Sequence, residues 1–267
     1  MSEEKVNLSR AQPGDEGYVP PAAAVPLPSK GKVYPPDSPL AGAELLEVKA
    51  MTAREEDILT SAALLKQGKA LDMLLRSCIL DRRIDVDQML SGDRNAALIA
   101  IRITGYGQGY TVKVECPACN EKSDHEFDLA KLPVKPLGAE PLEPNTNLFS
   151  FPLPISQKVV QFRLMTGADE RELSTTLERQ RKLGSGLDQL VTTRLAHQIV
   201  SIGAEKDRTK ISRIVQTMPA RDSRELRRYM DQIVSGVDMK QEFACLRCGE
   251  TAEVDVPMGT EFFWPQS

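Results

Sequence analysis

Four of the five cysteines in the 267-residue chain stand as two pairs, Cys116-Pro117-Ala118-Cys119 and Cys245-Leu246-Arg247-Cys248. A two-residue gap lets both sulfurs of a pair converge on one point about 2.3 Å away, the length of a zinc–thiolate bond. Two such pairs suit one tetrahedral Zn2+ ion, with Cys116, Cys119, Cys245 and Cys248 as ligands. Four thiolates fill the coordination shell and leave no place for an activated water, so such an ion is structural. Two other readings compete. A redox pair would open a helix in a βαβ setting, but neither pair is followed by a helical pattern; inert or disulfide-bonded cysteines are the third possibility. Zinc accounts best for the spacing.

The elements that must position these thiols are legible on both sides of each pair. Alternating apolar and polar residues run through Tyr110–Glu115 and Lys122–Leu129 around the first, and through Met239–Ala244 and Thr251–Val256 around the second. Each stretch reads as strand, knuckle, strand. The halves of a four-cysteine site usually lie about 15–20 residues apart. Here the gap is far longer, so the residues between form an insertion. The expected fold class is therefore α+β: a zinc ribbon built from two Cys-x-x-Cys β-hairpins, an N-terminal helical unit, and a long helical insertion between the hairpins. The expected organisation is an extended Pro/Ala-rich arm over 1–30, a helical unit over 31–105, the first knuckle hairpin over 106–129, an insertion over 130–236, and the second hairpin with an aromatic C-terminus over 237–267.

Further signals fill in these units. Pro20 to Pro28 cannot bury enough apolar surface to fold alone, and the arm is either a loose tail or an extended segment that docks on a partner. Leu45–Ala50 reads as a short strand. Thr52 and Glu55 fit a capping box that opens a helix to about Gln67, with Ile58, Leu59, Ala62 and Leu65 buried. A second helix covers Ala70–Leu80 and a third opens at Ser91-Gly92-Asp93. In the insertion, Leu148–Phe151 and Val159–Leu164 read as two strands that join the knuckle hairpins, and helices follow over Glu170–Leu183, Leu187–Ile202 and Ser223–Val234. His197 and Cys78 read as structural residues. The arginines of the last helix, interleaved with Asp222, Glu225 and Asp231, read as a solvated face.

Composition narrows the function. A net charge of −4 argues against phosphate-backbone binding, and the knuckles are not basic either. No run is apolar enough to cross a membrane, and the first residues lack the order of a signal peptide, which points to synthesis in a cytoplasm. The glycines at 105, 107 and 109 are not followed by the Gly-Lys-Ser/Thr of a phosphate loop. No nucleophile lies beside a base, so neither an enzyme nor a small-molecule substrate is expected. Interaction features occur at both ends: the extended segment with Tyr34, and Phe262, Phe263 and Trp264 near the C-terminus, are the candidate partner contacts, the three aromatics either packing back on the zinc domain or plugging into a neighbour.

Several strings also resemble the baseplate hub proteins of T-even-like contractile-tailed bacteriophages. They are Leu27-Pro28-Ser29-Lys30-Gly31 with Tyr34-Pro35, Met51 to Thr60, Gly92-Asp93-Arg94, Arg102-Ile103, Tyr106-Gly107 and Tyr110 into Cys116 and Cys119. The stretch from Pro219 through Val237-Asp238-Met239 to Cys245 and Cys248, and Phe262-Phe263-Trp264-Pro265, add to them. The resemblance implies a tail-baseplate part, present in the virion and bound to other baseplate and hub proteins. It leaves open a hub assembly chaperone that departs before the particle is complete. A zinc-ribbon adaptor for nucleic acid is a third reading, which the composition does not favour.

Overall fold

The computed structural model describes residues 21–182, 189–258 and 260–263. In chain order the elements are β1 (Ala22–Pro26), β2 (Leu45–Lys49), α1 (Ala53–Thr60), α2 (Ala62–Lys66), α3 (Ala70–Cys78), α4 (Ser91–Tyr106), β3 (Gly109–Glu115) and β4 (Lys122–Asp128). Then come β5 (Val134–Lys135), β6 (Phe149–Pro152), β7 (Val159–Phe162), α5 (Gly167–Lys182), α6 (Leu190–Gln198), β8 (Ile199–Ile202), α7 (Arg208–Gln216), α8 (Ala220–Ile233), β9 (Gly236–Val237), β10 (Lys240–Ala244) and β11 (Thr251–Asp255). The class is mixed α+β, and all strand pairs are antiparallel: β1–β2, β3–β4, β5–β9, β10–β11 and a three-stranded β6–β7–β8.

Helix α4 is the axis of the body, and it packs on β1, β2, α3, α5 and β9. Its inward residues Ala97, Leu98 and Ile101 are buried, and they meet Leu74, Leu75 and Cys78 of α3 in one continuous core with Val25, Leu27 and Leu46. Gly92, in its first turn, faces Ser235 so closely that a Cβ would lie 1.9 Å from that carbonyl oxygen. No side chain fits there, and the absence of one lets β9 cross the start of α4.

The extended N-terminal stretch differs from its expected form. From Ala22 it is no arm: it pairs with β2 in the register Ala22↔Lys49 to Pro26↔Leu45, and Leu27, Val33 and Tyr34 continue into the core. Alternate residues of a proline-punctuated segment can still face a core when the partner strand supplies the ladder. What fixes the stretch is Asp93, fully buried on α4. Its carboxylate accepts hydrogen bonds from the Ser29 amide at 3.0 Å, the Ser29 hydroxyl at 2.6 Å and the Tyr34 hydroxyl at 2.6 Å. The Tyr34 oxygen in turn accepts from the Leu90 amide at 3.0 Å. Residues 1–20, the rest of the expected arm, lie outside the described residues.

Two helical expectations and one strand pairing also need correction. The first helix is broken at Ser61, whose hydroxyl accepts from the Leu64 amide; a serine competes for backbone amides and starts a new helix, and Leu65 is left 43% exposed. The helix expected over Leu187–Ile202 begins at Leu190 and ends at Gln198, because Ile199–Ile202 pairs with β7 as a strand, which its β-branched composition favours. The β6–β7 pair accordingly joins β8 and not the cysteine-bearing strands.

Buried carboxylates tie the later helices down. Asp222, expected on a solvated face, is buried in the first turn of α8 and accepts from the Ile155 and Ser156 amides at 2.7 and 3.0 Å. Asp169 accepts from the Thr166 amide and hydroxyl at 2.9 and 2.8 Å, and from Arg163 at 2.7 Å. His197 meets Oδ1, the oxygen that Arg163 also contacts at 2.7 Å, at 3.1 Å, so this histidine links α6 to α5.

Candidate metal centre

Strands β3 and β4 pair from Gly109↔Asp128 to Glu115↔Lys122, and β10 and β11 from Lys240↔Asp255 to Ala244↔Thr251. The alternation decides what each face does. Tyr110, Val112, Val114 and Phe127 point inward and are buried, and Phe243 does the same on β10. His125 stands between the pairs, its ring edge-on to Phe127 at 4.6 Å and to Phe243 at 5.3 Å. The outward positions carry Lys113, Glu115, Asp124, Glu126, Glu242 and Glu253, all exposed.

The turn after each first strand is built in the same way. The Cys116 amide donates to the Glu121 carbonyl at 2.8 Å and the Asn120 amide to the Cys116 carbonyl at 2.9 Å. In the second turn the Cys245 amide donates to Glu250 at 2.9 Å and the Gly249 amide to Cys245 at 3.0 Å. The fourth residue after the leading cysteine is left-handed in both, Asn120 at φ 56° and Gly249 at φ 73°. Asparagine and glycine are the residues that tolerate this conformation. The sequence therefore repeats one turn down to its least comfortable dihedral.

These turns bring the four cysteines together across the chain. Cys116 Sγ lies 3.7 Å from Cys248 Sγ, and Cys119 Sγ 3.7 Å from Cys245 Sγ; all four sulfurs fall within 4.8 Å of one another. A disulfide needs about 2.05 Å, so both expected pairs and both cross pairs are free thiols. A tetrahedron with arms of about 2.3 Å has edges of about 3.8 Å. Two of the six sulfur–sulfur edges match that length and all lie within 4.8 Å, so the four thiols could together hold a metal ion. Backbone amides of Cys248 and Arg247 hold the Cys245 thiol down to about 7. At Cys248 the Glu250 amide pulls the other way from burial and the neighbouring thiols, which together push it up to about 12. Filling the site with a metal must release those protons.

The remaining candidates lie inside this chain. Tyr34, a candidate contact for a partner, is a core residue, and Phe262 and Phe263 take the first of their two expected placements and pack back on the chain. Tyr34 is held by Asp93, as described above. Phe262 packs edge-on against Tyr110 at 5.1 Å and against Phe263 at 5.1 Å. Trp264 lies outside the described residues. Sequence reasoning missed what secures this terminus: Arg102, almost fully buried on α4, donates from Nε to the Phe262 carbonyl at 2.7 Å, and from its other nitrogens to Gly107 at 2.9 Å and Gly109 at 3.3 Å. The signal was an arginine among the inward positions of an otherwise apolar helix face. Cys78, fully buried beneath Glu55, has its thiol pushed up to about 12 by burial, as suits a core residue.

Among the described residues no helix is long and apolar enough to cross a membrane. A profile of the family described as "T4 bacteriophage base plate protein" matches residues 24–264. No curated protein and no solved structure matches the chain.

Proposed function

Because the chain belongs to the family of T4 bacteriophage base plate proteins, we propose that it is a structural part of the hub region of a contractile tail's baseplate, held in shape by one Zn2+ ion on Cys116, Cys119, Cys245 and Cys248. The observation that carries the zinc is the sulfur arrangement, free thiols with two 3.7 Å edges where a tetrahedral ion needs about 3.8 Å. The family carries the baseplate role and, with it, binding to other baseplate or tail proteins in the virion. On this reading 106–129 and 237–267 form a zinc ribbon, 130–236 is an insertion between its halves, and the protein contributes contacts and shape with no catalytic step.

Quantitative mass spectrometry of purified particles tests the placement. A fixed ratio to a known tail protein supports a virion component. Abundance in the infected-cell lysate with absence from particles identifies an assembly chaperone instead, and absence from both overturns the baseplate role for this chain. Metal analysis of the purified protein tests the ion separately: one zinc per chain, lost in Cys119→Ser and Cys248→Ser, is the expected result.

A further inference from the structure

The chain is acidic overall, but its charge is divided. Residues 109–128 and 238–255 together hold ten Asp/Glu against four Lys/Arg, whereas residues 190–233 hold nine Lys/Arg against five Asp/Glu. The cysteine-bearing strands thus form a negative head, and α6, α7 and α8 a positive face. The second asymmetry is apolar. Leu246, between the two cysteines of the second knuckle, is 88% exposed, beside Glu250 and an Arg247 already paired with Glu121. Burying an isolated leucine is worth about 1.5–3 kcal/mol, and nothing among the described residues covers it.

The positive face carries the complement. Two adjoining cavities of about 300 and 180 Å³ share Leu190, Arg194 and Met230 and form one groove between α6 and α8. Leu190, Val191 and Val234 along it are 50, 41 and 36% exposed. Arg194 and Arg227 stand at its rim with Asp231 and Glu170, and the arginines of α8 extend the positive field beyond it. A cavity of about 150 Å³ holds a benzene ring, so the smaller one takes a leucine side chain. The knuckle is held against β3–β4 by Phe243 and the cysteine cluster, with Leu246 left in solvent.

We infer that the occupant of this groove is a second copy of the chain, which inserts Leu246 of its acidic head between α6 and α8 in a head-to-tail contact. The two surfaces differ, so the contact is heterologous and its repetition yields rings or filaments and not a closed symmetric pair. Opposed net charges steer the encounter, and the exposed leucine supplies the anchor. The inference does not depend on the baseplate role.

Sedimentation velocity on the full, metal-loaded chain tests it, over a range of protein concentrations and from low salt, where the Debye length is about 10 Å, to near 1 M, where it is about 3 Å. Concentration-dependent oligomers at low salt, weakened tenfold or more at high salt, are expected. Leu246→Asp and the double variant Arg194→Glu/Arg227→Glu each abolish them, with melting temperature and metal content unchanged. Mixed together, the two variants restore one good interface and form only 1:1 dimers. A chain that stays monomeric alone, as it would if another protein filled the groove, overturns the inference. So does association indifferent to Leu246→Asp, or a mixture of variants that stays monomeric.

Discussion

Two regions of this molecule join distant parts of the sequence by different means. Around α4, Asp93 gathers Ser29 and Tyr34 from 64 and 59 residues away with three hydrogen bonds inside a thick apolar core. At the head, two strand pairs meet across 132 and 126 residues through sulfur atoms, over a thin layer of Val112, Val114, Phe127 and Phe243. Isolated two-stranded sheets are marginal in water, and outward faces of Glu, Asp and Lys leave little apolar area to bury. The comparison teaches where each kind of bond is needed. In the body a polar lock selects one path for a segment that the core already stabilises; in the head, on the proposed reading, an ion on the four thiols would supply stability that packing cannot.

That contrast can be broken from either side. The largest effect is expected from Cys119→Ser, Cys248→Ser or a strong chelator. Structural zinc is worth roughly 10–16 kcal/mol in isolated fingers, so head and body should separate into two thermal transitions, the head's at low temperature; a single unchanged melt would remove the distinction. Next comes Asp93→Ala. It strands the Tyr34 and Ser29 hydroxyls in the core and should cost about 3–5 kcal/mol in chemical denaturation while leaving the metal content intact. A loss of metal with it would mean that the regions are not independent.

Arg102→Met sits between the regions, because Arg102 on α4 holds Phe262 against Tyr110 of the head. Three carbonyls lose their donor, at about 1–3 kcal/mol, and limited proteolysis should release the C-terminal turn before anything else is cut. The smallest effect concerns acid. Burial raises the Glu55 pKa, but hydrogen bonds from Lys49, Ser77 and Thr52 outweigh it and hold the carboxyl down to about 2, against about 4.3 when unfolded. A carboxyl depressed by folding contributes stability above its unfolded value and loses it as the pH falls toward 2. Asp93 runs the other way: burial raises its pKa despite the Ser29 and Tyr34 bonds, so its cost at neutral pH is relieved on acidification. Glu55→Gln should therefore flatten the acid limb of a stability–pH curve, and an unchanged slope would show that Glu55 is not its source.

How much of this was legible depends on the range of the physical signal. The Cys-x-x-Cys turns and their flanking alternation are local patterns, and their partnership across the chain follows from the arithmetic of coordination. The Glu55 cap was legible for the same reason: its carboxylate receives the Thr52 amide at 2.9 Å. Asp222 was not. A charged residue among four arginines looks solvated in one dimension, and only the approach of the Ile155 turn makes it a buried acceptor. The fates of Tyr34, Phe262 and Phe263 were hidden likewise, because an aromatic that fills its own core and one that fills a neighbour's carry the same sequence signature. Ile199–Ile202 shows the commonest ambiguity, four apolar residues that fit a helix end or a strand until β7 is there to pair with.

The separation of the two thiol pairs also has a meaning in time. A ribosome adds about 5–20 residues per second, so Cys116 and Cys119 leave it roughly 6–25 seconds before Cys245 and Cys248. For that interval the early pair can offer an ion only half a coordination shell, while α4 already has β1, β2 and α3 to pack on. The last knuckle to be translated then closes the site, and β9, which has to cross Gly92, arrives just ahead of it. A product truncated before Cys245 therefore keeps only half of the thiol cluster and cannot pass for a finished part.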